Sequence, residues 1–405
     1  MNTNKKTPKL RFKGFTDDWE QCKLGDIATL SKGNGYSKSD LSASGNPIIL
    51  YGRLYTNYET TIRNVDTFVK LKDKSVISQG GEVIVPASGE TAEDISRASV
   101  VKNQGVIIGG DLNVIKVNIL LDPTFLALTI SNGEQQKELS KRAQGKSVVH
   151  LHNSDLQEVN LIFPLLNEQR KISTLFEKMD NIITLHQCKL EKLKLNKSAL
   201  LQKLFPQNGC TIPEIRFKEF TGAWEQRKFS DLYEKISEKN DLSYSLDKII
   251  SVANMYYKSD AKVSNEEYLK TYNIFRYGEI AFEGNKSKDF AYGRFVENTI
   301  GDGIISHVFE VFRPIAKYDI YFWKYYINYE PIMGKILSRC TKKTTMMTNL
   351  VAKDFLKETV LVPTLAEQKQ IGTLLNAIDK FITLHQRKLD RLISIKKGLL
   401  QQLFV

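Results

Sequence analysis

The chain has 405 residues, of which 41% are hydrophobic and 26% charged, with a formal net charge of +12 and an isoelectric point near 9.2. This composition excludes a largely disordered chain, provides apolar material for two cores and favours a polyanionic partner such as nucleic acid. No apolar run of roughly 18 residues indicates a membrane span, the start lacks a secretory signal, and the four cysteines fit neither disulfide nor zinc spacing, so we expect a cytoplasmic protein without a metal site.

The chain contains the same framework twice. Residues 8–27 return at 213–232 with 11 of 20 positions identical, and residues 163–205 return at 362–404 with 22 of 43 identical. The stretches between these repeats scarcely match. Repeats about 200 residues apart are too long for a solenoid, so each copy is predicted to be a domain plus a connecting element. Two similar framework segments that flank two different domains suggest one molecule that recognises two different targets at a fixed separation.

Residues 1–162 and 206–361 are predicted to form two mixed α/β domains. In both, short β-rich runs alternate with turn residues, which is typical of strands. The runs lie at 46–51, 81–86, 114–117 and 159–163 in the first domain and at 249–252, 278–282 and 308–312 in the second. Their common order indicates one fold with different loops.

Polar loops after these strands carry the candidate contacts to nucleic acid. Ser, Glu, Asn, Lys and Arg side chains can read base edges or hold phosphates, whereas a loop buried in a core would not concentrate them. Three of the loops also contain tyrosines. For any single residue, an ordinary solvated loop stays the alternative. The candidates are Arg53, Tyr55, Ser88, Glu90, Thr91 and Arg97 in the first domain, and Asn254, Tyr256, Lys258, Asn285, Lys286, Ser287, Lys288, Tyr292 and Arg294 in the second.

Residues 163–205 and 362–405 are each predicted to form one long helix with a heptad seam, because apolar residues recur at alternating spacings of four and three. A histidine and then a lysine interrupt both seams at equivalent places, the lysines being Lys197 and Lys396. Polar seam residues usually set register or orientation. The simplest partner for each helix is the other copy. An antiparallel pair would place the two domains at opposite ends of a rod, related by a pseudo-twofold axis.

The seam residues of the first helix are Ile172, Phe176, Met179, Ile183, Leu190, Leu193, Leu200 and Leu204, and those of the second are Ile371, Leu375, Ile378, Ile382, Leu389, Leu392, Leu399 and Leu403. The alternative to a functional role for these helices is a plain spacer. Identical positions elsewhere on the two helices, such as Thr184 and Thr383, fit two equivalent docking sites for partner proteins.

Neither domain carries a catalytic or cofactor-binding motif. The sequence has no Asn-Pro-Pro-Tyr-like methyltransfer motif, no glycine-rich dinucleotide loop and no nuclease pattern of carboxylates and lysine. We therefore predict a protein without catalytic residues. Two alternatives stay open: a free-standing DNA methyltransferase or nuclease, and a coiled-coil scaffold whose basic charge is incidental.

Three boxes occur once in each half of the chain. They are Arg-Phe-Lys-x-Phe-Thr-x-x-Trp-Glu-Gln at 11–21 and 216–226, Pro-x-Leu-x-Glu-Gln at 164–169 and 363–368, and Thr-Leu-His-Gln-x-Lys-Leu at 184–190 and 383–389. Together they make the whole chain resemble the specificity subunit of bacterial type I restriction-modification systems. None of the boxes lies in the loops, so the resemblance carries over no base-reading residue.

The resemblance implies a non-catalytic subunit that recognises a bipartite, asymmetric target in double-stranded DNA. Each domain would act as a target-recognition domain for one half-site, and the two helices would form an antiparallel coiled coil that fixes the spacer between them. Two modification subunits, which bind S-adenosylmethionine and methylate adenine, would be partners. So would two restriction subunits, which translocate DNA with ATP and Mg and carry a nuclease. The resemblance implies no cofactor on this chain itself.

Overall fold

The computed structural model of the protein describes residues 7–143, 145, 148–207, 209–259, 263, 265–343 and 347–404. The chain divides into two compact units. The first unit comprises Met1–Gln187 and Arg387–Val405, and the second comprises Cys188–Gln386. Each unit therefore contains one α/β domain, the first half of the long helix that follows this domain, and the second half of the other long helix.

Two five-stranded sheets form the domain of the first unit, within the described residues. In hydrogen-bonded order, one sheet contains Ala28–Lys32, Leu112–Val117, Glu82–Pro86, Ser99–Val101 and Thr61–Ile62, and the other contains Leu41–Ser42, Phe68–Val69, Asn46–Ile49, Ile107–Ile108 and Val76–Ile77. The central strand Glu82–Pro86 is buried along its whole length. Its apolar side chains therefore form the middle of the core.

A two-stranded ladder ties the start of this domain to its end. Glu20–Lys23 runs antiparallel to Asn160–Phe163, with Glu20 opposite Phe163. A second short ladder pairs Ser88–Gly89 with Val149–His150. The helices of the domain are Leu24–Ile27, Arg53–Thr56, Ala92–Ile95, Pro123–Ile130, Gly133–Arg142 and Asn153–Gln157, with a 3-10 turn at Lys38–Asp40. Because Phe163 leads into the long helix, the first ladder fixes where that helix leaves the domain.

The second unit repeats this plan with fewer paired strands. Its main sheet is antiparallel, in the order Tyr233–Ile236, Glu310–Pro314, Ile280–Glu283 and Arg294–Glu297. Glu225–Lys228 pairs with Thr359–Val362 in the ladder equivalent to that of the first unit. Further pairs join Ile250–Ser251 with Tyr256–Tyr257, Asn273–Phe275 with Gly303–Ile305, and Thr341–Lys343 with Thr348–Leu350. The helices are Ile320–Tyr326, Glu330–Cys340 and Ala352–Phe355, with 3-10 turns at Phe229–Asp231, Leu246–Lys248 and Glu266–Thr271.

Every strand predicted from the sequence is present, displaced by at most a few residues, and the mixed α/β class is confirmed. A Gly-Glu pair stands at the start of the central strand in both units. The Glu82 carboxylate accepts the backbone N–H of Gln79 at 2.8 Å, and the Glu279 carboxylate accepts that of Arg276 at 2.7 Å. A glutamate thus closes the turn before the central strand in both units.

The two long helices are Leu166–Leu204 and Leu365–Leu403, as predicted. None of the predicted seam residues is exposed. In the first unit the ring of Phe176 lies 6.1 Å from that of Phe404, and Asp180 forms an ion pair with Lys396. Residue numbers rise along one helix as they fall along the other, so the pairing is antiparallel. The second unit shows the same direction, since Leu204 lies in one apolar cluster with Ile371 and Leu375 while Lys197 pairs with Asp379.

Candidate nucleic-acid interface

The box around Arg11 is clamped to the start of the first long helix in the first unit. The guanidinium of Arg11 donates through Nε and Nη2 to the two carboxylate oxygens of Glu168, both at 2.8 Å. Glu168 is 1% exposed, and its hydrogen bonds raise the pKa of Arg11 above the ordinary value. A guanidinium suits a carboxylate in this way because its donors lie in one plane. Two of the repeated boxes are therefore joined side by side.

The second unit contains the same clamp. Arg216 donates through Nε and Nη2 to the carboxylate of Glu367, both at 2.7 Å, and Nε1 of Trp224 donates to it at 3.2 Å. Hydrogen bonding to Glu367 raises the pKa of Arg216. Trp19 occupies the equivalent place in the first unit, where its ring packs 5.9 Å from that of Phe125. The repeated tryptophan thus fills the core beside each clamp.

A glutamine follows each clamped glutamate and connects the long helix to the domain. Oε1 of Gln169 accepts the backbone N–H of Asp122 at 2.8 Å, and its Nε2 donates at 2.8 Å to the carbonyl of the proline five residues earlier. Gln368 makes the equivalent bonds, accepting from Asp319 at 3.1 Å and donating to its own proline at 3.1 Å. Asp122 and Asp319 each cap the N-terminus of a domain helix. The repeated residues therefore form a frame that holds each variable domain on its helix.

The Leu-Phe pair that ends each long helix completes the core of a unit. In the first unit the Phe404 ring is buried 5.6 Å from that of Phe125 and 6.1 Å from that of Phe176. In the second, the Phe205 ring is buried 4.9 Å from that of Tyr326. Each core thus includes the residues that end a long helix whose first half lies in the other unit.

In the first unit a hydrogen bond joins the two segments that were predicted to contact nucleic acid. The Tyr55 hydroxyl donates to the carbonyl of Ser88 at 2.8 Å, and burial raises the pKa of Tyr55 above its ordinary value. A Cβ on the neighbouring Gly89 would lie 2.8 Å from the Tyr55 hydroxyl, so this close approach favours glycine. Residues 53–55 and 88–97 consequently form one surface.

Acidic neighbours hold Arg53 in place on this surface. Its guanidinium forms ion pairs with Glu59 at 2.8 Å and Asp66 at 2.9 Å, and donates to the carbonyl of Asn64 at 2.9 Å. The side chain is 12% exposed. Arg53 therefore orders the loop around it, and little of its own surface faces solvent.

The segment from Ser88 to Arg97 is ordered by its own polar residues. Thr91 caps a short helix by accepting the backbone N–H of Asp94 at 3.0 Å, and Arg97 pairs with the carboxylate of Asp94 at 2.6 Å. Glu90 and Thr91 are exposed, whereas Ser88 and Arg97 are half-buried. Four candidate residues are thus presented by one capped turn.

In the second unit Arg294 joins the two predicted segments. Its Nε donates to the carboxylate of Glu283 at 2.7 Å and its Nη2 donates to the carbonyl of Ala253 at 2.9 Å. Because Glu283 is buried, Arg294 also supplies the counter-charge that this carboxylate needs. Residues 254–258 and 285–294 therefore form one surface, like their counterparts in the first unit.

The other candidates of the second unit lie on the outer part of this surface. The Ser287 hydroxyl accepts the backbone N–H of Phe290 at 3.1 Å, which closes a turn, and Nζ of Lys343 lies 5.9 Å over the ring of Tyr292. Tyr292 and Arg294 are half-buried. The exposed candidates are Asn254, Tyr256, Lys258, Asn285, Lys286, Ser287 and Lys288.

A cleft of about 720 Å³ beside Arg53 was not predicted from the sequence. Its lining includes Tyr36, Lys38 and Tyr51, which together offer aromatic faces and a cation. Tyr36 has a φ of 61°, a conformation uncommon for a bulky residue. The Gly-Asn-Gly run just before Tyr36 is a signal that could have marked this tight loop.

Over the described residues, no group of three or more His, Cys, Asp or Glu side chains is placed to hold a metal ion. The same part of the chain contains no helix with the length and apolar character needed to cross a membrane.

The family model of the type I restriction modification DNA specificity domain matches residues 16–195 and again residues 222–393. The two matches cover most of the chain and follow the internal repeat. The chain therefore belongs to the type I restriction-modification DNA specificity family. This confirms the predicted identity as a specificity subunit, the non-catalytic member of such a system, and excludes the free-standing enzyme among the alternatives.

Individual relatives agree over nearly the full length. The type I restriction enzyme MjaVIII specificity subunit of Methanocaldococcus jannaschii is 21% identical over 413 aligned positions, which cover 96% of this chain and 92% of that protein. The crystal structure of the S subunit from M. genitalium is similar in fold, with a TM-score of 0.62 and 14% identity over 98% of this chain and 99% of that one. The HsdS subunit from Thermoanaerobacter tengcongensis matches 95% of this chain and 96% of its own, at 16% identity and a TM-score of 0.46.

Proposed function

We propose that this specificity subunit recognises a bipartite, asymmetric sequence in double-stranded DNA, with each domain reading one half-site and the paired helices setting the spacer. The observation that carries the proposal is the joining of the predicted segments in both units. Tyr55 does this in one domain and Arg294 in the other, on equivalent frames. Because the segments differ in sequence between the units, two different half-sites follow.

Within each surface the buried and exposed candidates would have different roles. Arg53, Tyr55 and Arg294 are tied to protein atoms and would hold the loops in shape. Exposed cations such as Lys258 and Lys288 would reach phosphates or base edges. The cations on these loops would also make binding weaken with rising salt, as phosphate contacts do.

The long helices would carry the docking sites for the modification subunits. Ile182 and Leu185 are 44% and 66% exposed on the first helix, and Phe381 and Leu384 are 55% and 46% exposed at the equivalent positions of the second. Each pair is spaced three residues apart and so lies on one helix face. One exposed apolar pair in each unit supports two modification subunits per chain. Two restriction subunits would complete the larger assembly.

The partners would supply the chemistry and the cofactors. The modification subunits would bind S-adenosylmethionine, the restriction subunits would use ATP and Mg, and this chain would contribute only recognition. Because such an assembly works where DNA is kept, we place it in the cytoplasm.

Methylome sequencing tests the proposal directly. DNA from cells that carry this chain with its modification subunit is compared with DNA from cells that carry the modification subunit alone. We expect a split motif with methyladenine in each half, present only in the first cells. An assembled complex that methylates no new motif, or only a continuous one, would rule out bipartite recognition.

A further inference from the structure

Two reciprocal ion pairs connect the long helices, one inside each unit. Lys197 of the first helix pairs with Asp379 of the second at 2.7 Å, and Lys396 of the second pairs with Asp180 of the first. The side chains are 19–31% exposed, so water reaches them only in part. In each helix the aspartate precedes the lysine by the same number of residues. Because both helices have the same spacing, the lysine of each helix meets the aspartate of the other when the helices run antiparallel.

In the second unit this ion pair also contacts the domain. The Tyr325 hydroxyl donates to the Asp379 carboxylate at 2.6 Å, and Nζ of Lys197 lies 4.9 Å over the ring of Tyr325. Nζ of Lys324 is 3.8 Å from the same carboxylate. Burial of these groups is offset only while all of them stay in place. The pair thus connects two helices and a domain at one point.

The apolar seam alone would fix the register less firmly, because leucines recur at heptad spacing. A slip of one heptad would place Lys396 opposite Gln187 and Asp180 opposite Leu403. The opposite slip would place Asp180 against Leu389. Either slip would leave a partly buried carboxylate facing leucine without its cation, which is a costly arrangement. The ion pairs therefore select one register among those that the leucines permit.

We propose that Asp180–Lys396 and Lys197–Asp379 determine the register of the helix pair together with the buried end residues Phe404 and Phe205 and that, through the spacer-setting role proposed above, they help to determine the DNA spacer that the protein accepts. Seven residues of helix are about 10 Å long, and one base pair rises about 3.4 Å. A slipped pair would therefore accept a spacer changed by about three base pairs.

Charge exchange tests the pair in the first unit. The complex with its modification subunit is assayed on DNA carrying the methylated motif of the wild type, with the spacer length varied. Asp180→Lys and Lys396→Asp each place like charges opposite one another, so we expect about tenfold less methylation at the native spacer. The Asp180→Lys, Lys396→Asp double variant should recover most of it. Lys397→Asp, a charge reversal at the exposed neighbouring position, should have little effect.

A neutral variant separates register from stability. Replacing Asp180, Lys396, Lys197 and Asp379 together by leucine removes both ion pairs and keeps the apolar seam, and buried ion pairs can often be replaced by apolar residues without loss of stability. We expect an unchanged or higher Tm together with new methylation at spacers shifted by about three base pairs. Single reversals that methylate like the wild type, or a neutral variant with wild-type spacer selectivity, would overturn the register role. If the helices do not set the spacer at all, the result would be different, because the wild type itself would show no spacer preference.

Discussion

The two glutamates in the first turns of the long helices depend on a counter-charge from elsewhere in the chain. Glu168 and Glu367 are 1% and 0% exposed, and an ionised carboxylate at such depth is tolerated only with a well-oriented cation. Arg11 and Arg216 provide it from a box that lies more than a hundred residues away in sequence. The arginine of one repeated box and the glutamate of another are therefore one structural element.

Removing the arginine should unfold one unit preferentially. Arg11→Ala leaves Glu168 buried without a counter-charge, and we expect the first unit to lose about 3–5 kcal/mol of stability. Hydrogen exchange monitored by mass spectrometry, peptide by peptide, should show lost protection in the first unit and normal protection in the second. Arg216→Ala is the matched control, for which the pattern should be reversed. Equal loss in both units would contradict a local role for the clamp.

Glu297 predicts a pH effect on the second unit. It is 2% exposed and neither carboxylate oxygen has a hydrogen-bond partner among the described residues. Burial first, and then the negative charge of Asp319, raise the pKa of Glu297 well above its ordinary value, while Lys324 opposes this. The folded state therefore holds the proton more tightly than the unfolded state. Stability contributed by the neutral acid is complete at low pH and is lost as the pH rises above the ordinary glutamate value.

Glu297→Gln should remove this dependence. Near pH 4 the variant and the wild type should unfold at similar temperatures, and by pH 8 the variant should be more stable, since each pH unit in the affected window is worth up to about 1.4 kcal/mol. Calorimetry of both proteins across that range checks it. Parallel curves of Tm against pH would show that Glu297 does not titrate in this window.

Residue types in the loops could be predicted from the sequence, but their contacts could not. Arg53, Arg97 and Arg294 stood out because arginine is suited to bases and phosphates. Whether such an arginine faces solvent depends on acids that the fold brings to it. Asp94 lies three residues before Arg97, so the sequence alone could indicate this ion pair. Glu283 and Arg294 are neighbours only because their strands pair. Which candidates touch DNA accordingly stays a prediction.

At the level of elements, each long helix serves two cores, since its first turns are clamped to one domain and its last residues fill the core of the other unit. Phe404 should therefore matter for a domain almost the whole chain length away. Phe404→Ala leaves a cavity beside Phe125 and Phe176, and we expect the first unit to lose about 3–5 kcal/mol. Limited proteolysis should then cut the N-terminal domain first.

Phe205→Ala provides the reciprocal case for that experiment. It removes the ring next to Tyr326, so the second unit should become the sensitive one. Loss of the C-terminal helix end alone, with the N-terminal domain still resistant, would mean that Phe404 contributes little to the core.

The exposed apolar pairs predict how many modification subunits bind. Leu185→Glu places a charge in the proposed docking face of the first helix, and because charge at the centre of an interface is strongly unfavourable, we expect one modification subunit per chain where the wild type binds two. Light scattering after gel filtration measures the mass of the complex. Leu195→Glu is the control, being 70% exposed at a position whose repeat counterpart is serine. Two bound subunits on the Leu185→Glu variant would place docking elsewhere.

Elements differ in how far the sequence reveals them. The two long helices were predicted within a few residues because a heptad repeat is a local signal, present at every turn. Strands such as Glu82–Pro86 were also found, since they are continuous apolar runs. Two-residue strands such as Thr61–Ile62 were missed, because their pairing with Ser99–Val101 is decided by the tertiary structure and not by local pattern.

For the molecule as a whole, duplication separates what is held constant from what varies. The clamps, the capping aspartates and the closing Leu-Phe pairs recur in both units, whereas the surfaces around Tyr55 and Arg294 differ. A change in one surface therefore leaves the frame intact, and under the proposed function this would let one chain recognise two unrelated half-sites. The division into units cuts both helices at equivalent places, after Gln187 and after Gln386.

Insertions at these two boundaries should lengthen the paired helices without disturbing either unit. Four residues inserted after both Gln187 and Gln386 add about one helical turn, roughly 6 Å, and keep each seam nearly in phase. If the helices set the spacer, both half-sites should stay the same while the preferred spacer grows by about two base pairs. Methylome sequencing of the variant complex reads half-sites and spacer together. The same four residues inserted after Gly209, outside the helices, should leave the spacer unchanged. A lengthened protein that still methylates only the native spacer would mean that the loops, and not the helices, determine the distance between the half-sites.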